Sequence, residues 1–179
     1  MAKCQMIDVI EQLELFNAKM LDFRIRFDRY GTPYFAHGIF GYKSNVAKYL
    51  QMIDTWCKSH DTKVYVRLIL ESNHPMHNQI QQEAMFDAVC TVWEKTYPNL
   101  MFCEGRRKYD WEVVHEFKHK PIYGGKYSSV TSMFGEYTNG IKAKIDDIYP
   151  WLYAKTHNKK NIASVKDNEL ILVDFIHLQ

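Results

Sequence analysis

Four side chains near the ends of predicted strands, Asp22, Arg24, His37 and Glu71, carry groups that suit a phosphate ester. A guanidinium forks onto phosphoryl oxygens and never loses its charge, and an imidazole can move a proton near neutral pH. Asp22 or Glu71 can hold either cation in position. On spacing alone, the pattern favours a surface ion pair between Asp22 and Arg24, with His37 as an ordinary turn residue.

The strand that carries the first of these residues is predicted from its alternation. Apolar and charged residues alternate from Met20 to Phe27, which places Asp22, Arg24 and Arg26 on one face. Further strands are predicted at 33–37, 63–71, 100–103 and 169–176, with one weaker strand among loops at 123–137. Helices are predicted at 5–19, 44–60 (capped by Ser44), 78–97, 111–117 and 146–155.

Strands separated by helices of about 15 residues predict an α/β fold with a mostly parallel sheet. The chain has 179 residues, so a single domain spanning 1–179 is expected. His37 and Glu71 each end a predicted strand, and polar residues at strand ends are typical of the working face of a β/α barrel.

Composition excludes several classes of protein. Apolar residues make up 46% of the chain and charged residues 25%, which excludes a disordered chain. The net charge is +2, from 23 basic and 21 acidic residues, so nothing indicates a nucleic-acid partner. The four cysteines form no C-x-x-C pair and are expected to be buried thiols rather than zinc ligands. No signal peptide and no apolar run of membrane-spanning length is predicted, and the compartment stays open.

The order of these motifs resembles a known family. Asp22-Phe23-Arg24, followed after a gap of twelve residues by His37-Gly38, resembles the catalytic X region of phosphatidylinositol-specific phospholipase C. The preceding helix with Gln12 and the strand ending at Glu71 resemble the neighbouring steps of that family, and the segment 172–175 resembles a late strand. The resemblance implies a TIM-barrel-like phosphodiesterase fold and cleavage of an inositol phospholipid or a similar phosphodiester, by attack of an inositol hydroxyl that releases the lipid.

The resemblance implies a role for each matching residue. His37 would be the general acid that protonates the leaving oxygen, and Arg24 would hold the phosphate. Asp22 would orient Arg24 or a substrate hydroxyl. Arg24 stands where the eukaryotic branch of the family holds calcium, so neither a metal ion nor another cofactor is expected.

The same resemblance implies a set of residues that contact the substrate, namely Glu71, Arg26 and Asp174. Since an acid must stand on the leaving-group side of the bound phosphorus, Arg24, His37 and Glu71 are expected to converge on one cleft.

One departure from the family pattern limits the expected activity. The family carries a second histidine, its general base, on a strand upstream of the Gln-containing helix, whereas this chain begins at Met1 almost on that helix. The barrel is therefore expected to be incomplete or distorted at its N-terminal strand, with impaired turnover. His74 is the candidate substitute base.

Three alternatives follow from that departure. The first is a catalytically dead relative that binds a phosphorylated head group or a protein partner. The second is a fragment whose missing strand lies on an upstream polypeptide. The third is a barrel phosphodiesterase of the glycerophosphodiester or sphingomyelinase D kind, which the pairing of Asp22 with Arg24 disfavours because those enzymes usually need paired metal-binding carboxylates.

Two kinds of partner are also predicted. A sheet edge left open by a missing strand can pair with another copy, which gives a possible homo-oligomer. Lysines near two aromatic residues suggest peripheral contact with an anionic membrane, although a solvated helix explains the same pattern. These residues are Trp151, Tyr153, Lys155, Lys159 and Lys160.

Overall fold

A computed structural model describes residues 7–37, 40–42, 44–71, 78–105, 150–163 and 177. Residues 17–105 of this set belong to one compact unit, and residues 7–16, 150–163 and 177 belong to a second. Five expectations lie outside the described residues: the helix at 111–117, the strands at 123–137 and 169–176, and the two candidate residues His74 and Asp174.

Five strands of the larger unit form one sheet in the order β3-β2-β1-β4-β5. The strands are β1 (Met20–Phe27), β2 (Pro33–His37), β3 (Phe40–Tyr42), β4 (Val64–Leu70) and β5 (Leu100–Gly105). Strands β1, β4 and β5 are parallel, whereas β2 and β3 run antiparallel to their neighbours. The α/β prediction is confirmed. The sheet is mixed, and the described strands leave it open instead of closing it into a barrel.

Strand β4 lies in the parallel part of the sheet, between β1 and β5. All seven of its residues are buried, as expected for a strand covered on both faces. Strand β1 follows the predicted bounds and lies between β4 and β2. The short edge strand β3 was not predicted. At its centre, Gly41 lies against the Tyr34 ring so closely that an added Cβ would stand 2.8 Å from the ring.

Two helices of this unit connect the parallel strands. Helix α2 (Val46–Ser59) joins β3 to β4, and helix α3 (Gln79–Thr96) joins β4 to β5. Helix α3 lies within the predicted range 78–97 and is capped by Asn78. Helix α2 is capped by Asn45, whose side chain accepts a hydrogen bond from the Lys48 amide, and not by Ser44 as predicted. Cys57 and Cys90 are buried thiols on these helices, as expected.

Both helices cover the same face of the sheet. Right-handed crossovers that progress in one direction along a sheet place their helices on one side. Two hydrogen bonds that join α2 to the segment after α3 support this arrangement. The Tyr97 hydroxyl donates to the Ala47 carbonyl at 3.2 Å, and the Asn99 amide donates to Asp54 Oδ1 at 2.9 Å. Contact between the rings of Phe35 and Tyr49 identifies this helix-covered face.

The second unit is described through helices α1 (Val9–Phe16) and α4 (Pro150–Ala163). Helix α1 begins with a capping box, in which Asp8 accepts from the Ile10 amide and Glu11 accepts from the Asp8 amide, both at 2.9 Å. Helix α4 starts at Pro150, a residue favoured in the first turn, and extends eight residues beyond the predicted end at 155. Of the described helices, none has the length and apolar character needed to span a membrane.

Candidate functional site

Charged side chains from β1 and β4 meet on the face of the sheet opposite α2 and α3. In the parallel register Asp22 lies beside Arg67 and Arg24 lies beside Ile69. Because alternate residues of a strand share a face, Asp22, Arg24 and Arg26 lie on one side of β1, as the sequence predicted. Glu71 directly follows β4 and continues the same alternation. We call these five residues, Asp22, Arg24, Arg26, Arg67 and Glu71, the arginine cluster.

Ion pairs join four members of the arginine cluster into a chain. Arg24 Nη2 lies 3.4 Å from Asp22 Oδ2, and Arg24 Nη1 lies 3.7 Å from Glu71 Oε1. On the other side of Asp22, Arg67 Nη1 lies 3.6 Å from the same Oδ2 atom. Asp22 therefore bridges two guanidinium groups, and Arg24 lies between two carboxylates.

The members differ in how far solvent reaches them. The side chains of Arg24, Asp22 and Glu71 are 23%, 17% and 12% exposed, whereas the Arg67 side chain is 0% exposed. A ligand from solution can thus contact Arg24 and the two carboxylates, with Arg67 behind them. The three guanidinium groups exceed the two carboxylates by one positive charge, so the cluster itself favours an anion.

Arg26 has a different position from the one predicted for a substrate-binding residue. It is 1% exposed, and its Nε atom donates a 2.8 Å hydrogen bond to the main-chain carbonyl of Glu71. The side chain is therefore used to hold the end of β4, and it supports the accessible residues without reaching solvent itself.

His37 is not on the same face as the arginine cluster. Phe35 packs its ring against Phe23 of β1 and against Tyr49 of α2, on the helix-covered face. His37 lies two residues further along β2, so strand alternation places it on that same face. The structure thus brings Arg24 and Glu71 together as predicted, and the expected convergence with His37 is wrong.

Two residues that matter for this site were missed by sequence reasoning. Arg67 is wholly buried in the middle of β4, and Gln82 is 3% exposed on α3. Each is a polar side chain within an apolar pattern, and this pattern is the signal that could have identified them. It is a signal because a polar group that is buried needs a hydrogen-bonding or charged partner. The sequence contains no information on which partner that is.

Within the described ranges, no group of three or more His, Cys, Asp or Glu side chains is placed to hold a metal ion. In the second unit, Lys155 Nζ lies 5.1 Å from the centre of the Trp151 ring, and Trp151 and Lys159 are exposed on the same helix.

Comparison with known proteins gives no match: no family model, curated protein or solved structure is similar to this chain. The resemblance to phospholipase C therefore stays a prediction, carried by the residues themselves.

Proposed function

We propose that the arginine cluster binds the phosphate of a phosphodiester, and that the protein is a phospholipase C-like head-group binder with little or no hydrolytic turnover. The observation that carries the proposal is the position of Arg24. Its side chain is partly exposed, its guanidinium lies between two carboxylates that fix its orientation, and it belongs to a cluster with excess positive charge. A guanidinium fixed in this way suits two oxygens of a phosphoryl group.

The surroundings of Arg24 favour phosphate binding in the absence of a metal ion. Asp22 shares its charge between Arg24 and the buried Arg67. Partial burial lowers the effective dielectric and strengthens the attraction between a guanidinium and a phosphate. The carboxylates of Asp22 and Glu71 can in addition accept hydrogen bonds from hydroxyls of a polyol head group.

The position of His37 supports the binding function over hydrolysis. A general acid must reach the leaving-group oxygen of the phosphate that Arg24 holds. His37 lies on the opposite face of the sheet, so β1 and β2 separate it from that phosphate. We therefore favour the head-group-binding alternative over a phosphodiesterase with ordinary turnover.

The proposal extends to the fold and to the membrane. Strand β4, helix α3 and strand β5 form a parallel βαβ unit, the kind of unit that repeats in a β/α barrel, which supports a barrel-like relative of the phospholipases. On α4, a half-exposed Trp151 beside Lys155 suits peripheral contact with an anionic lipid surface, where a phospholipid head group would be presented.

Titration of glycerophosphoinositol, a soluble phosphodiester, tests the proposal. Binding should persist in the presence of a chelator and should weaken about thirtyfold in Arg24→Gln, the loss expected for a charged hydrogen bond of about 2 kcal/mol. The matched control is Arg29→Gln, which removes an exposed arginine stacked on Tyr30 and should bind as the wild type does. Inositol without phosphate should bind much more weakly.

Two results would contradict the proposal. One is binding that disappears with chelator and is indifferent to Arg24→Gln, or no binding at all. The other is release of inositol phosphate from phosphatidylinositol micelles at about 10 per second, an ordinary enzymatic rate.

A further inference from the structure

We infer that Gln82 is a positioning residue of the arginine cluster: its side-chain amide takes the place of a strand neighbour at the end of β1. The inference deepens the proposed function and rests on it for the ligand, but its geometry stands separately. Gln82 Oε1 accepts a 2.9 Å hydrogen bond from the Phe27 amide, and Gln82 Nε2 donates a 2.8 Å hydrogen bond to the Phe27 carbonyl. One side chain thus satisfies both main-chain groups of the last residue of β1.

The parallel ladder shows what Gln82 replaces. The Glu71 amide donates to the Ile25 carbonyl at 2.9 Å, which is the last rung between β1 and β4 among the described residues. Ile25 and Phe27 direct their main-chain groups to the same side of β1, so the next rung would join the Phe27 amide to the Glu71 carbonyl. Gln82 accepts that amide hydrogen bond instead.

The released carbonyl is then used by the cluster. Since the Glu71 carbonyl does not take the Phe27 amide, it accepts the 2.8 Å hydrogen bond from Arg26 Nε. Strand β4 ends at Leu70, and the carboxylate of the following residue, Glu71, lies 3.7 Å from Arg24. Gln82 therefore acts through Phe27, Arg26 and the end of β4 on the carboxylate that orients Arg24.

Burial makes this arrangement dependent on an amide. Gln82 is 3% exposed, so a substitute that cannot form both bonds leaves the Phe27 amide and carbonyl without water to replace them. Methionine matches the size of glutamine and forms neither bond. Gln81→Met is the matched control, because Gln81 is the neighbouring residue on the same helix and its side chain is exposed.

Nuclear magnetic resonance of the Arg26 Nε–H group is the decisive measurement, because a merely structural role of Gln82 would not move it in the folded protein. In the wild type and Gln81→Met this proton should exchange slowly. In Gln82→Met it should shift and exchange rapidly, and the affinity for glycerophosphoinositol should fall about tenfold. An Arg26 signal that is unchanged in Gln82→Met overturns the inference, whether or not the affinity changes.

The remaining outcomes separate this inference from the proposed function. If the wild type binds no glycerophosphoinositol while the Arg26 signal still depends on Gln82, the positioning role stands and the proposed function fails. If Gln82→Met does not fold, hydrogen exchange of the wild-type Phe27 amide decides. Protection far above that of the Tyr30 amide in the exposed turn supports the inference, and equal exchange of the two amides overturns it.

Discussion

At the scale of single residues, the arginine cluster contains a buried charge, the guanidinium of Arg67. Arg67 is wholly buried beside Asp22, and Asp22 is shared with the more exposed Arg24. Burial of an ion is costly, and removal of one partner leaves that cost uncompensated. Asp22 therefore has a structural task in addition to orienting Arg24.

Asp22→Asn should lower the free energy of unfolding by about 2–3 kcal/mol, since it leaves the buried Arg67 charge without its carboxylate. Combining it with Arg67→Met should recover part of that loss because the buried charge is then absent. Urea denaturation of the two single variants and the double variant measures the coupling. Asp61→Asn is the control, because Asp61 is exposed and asparagine tolerates its positive φ of 48°. Losses that simply add would show that Asp22 and Arg67 do not interact.

At the scale of elements, the ends of strands and helices are set by single side chains. Gln82 closes the end of β1, and Asn45 begins α2 by accepting from the Lys48 amide at 3.2 Å. Ser44, one residue earlier, has the right chemistry for a cap, but its hydroxyl instead donates to the Tyr42 carbonyl. Asn45 caps the helix because its main chain has the extended conformation that a cap residue requires.

Asn45→Ala should therefore destabilise the protein by about 1 kcal/mol, the usual cost of losing a helix cap. Ser44→Ala should have an effect of about 0.5 kcal/mol or less, because its 3.3 Å hydrogen bond is long and partly exposed. Thermal unfolding of the two variants under the same conditions compares them directly. A larger loss in Ser44→Ala than in Asn45→Ala would assign the cap to serine.

At the scale of the whole molecule, α2 and α3 pack on the sheet around groups that must stay protonated. Burial, and secondly the Asp54 carboxylate, raises the pKa of the Cys57 thiol from 9.0 to about 11. The same two causes raise the pKa of the Tyr97 hydroxyl. Both groups hold their protons more firmly when folded. The contribution of Cys57 is therefore complete below pH 9 and is lost as the pH rises towards 11.

The free energy of unfolding should accordingly fall by about 2 kcal/mol between pH 8.5 and 10.5, through Cys57 alone. Cys57→Ala should show a smaller fall over the same interval, even if it is less stable throughout. Cys90→Ala removes another buried thiol and should keep the steep fall because Cys57 is still present. Denaturation at several pH values provides the comparison. Equal slopes in wild type and Cys57→Ala would contradict the proposed cause.

Local patterns were sufficient for most of the elements in the described residues. The alternation of Met20–Phe27 and the apolar run ending at Leu70 correctly predict β1 and β4. The order of apolar and polar residues along a strand indicates whether one or both of its faces are buried. The helices α2 and α3 follow from helical spacing in the same way. The common face of Asp22, Arg24 and Arg26 also follows from the sequence, since it requires nothing beyond the period of a strand.

The tertiary structure decided what those elements face. His37 ends its strand as predicted, yet the antiparallel hairpin of β2 places it on the helix-covered side, away from Arg24. Arg67 became the partner of Asp22 through the register of β4 with β1, and Gln82 reached Phe27 across 55 positions of the chain. The physical reason is the range of the interactions. Periodicity acts between near neighbours in the sequence, whereas strand direction, register and the partners of buried polar groups are fixed by contacts between distant segments.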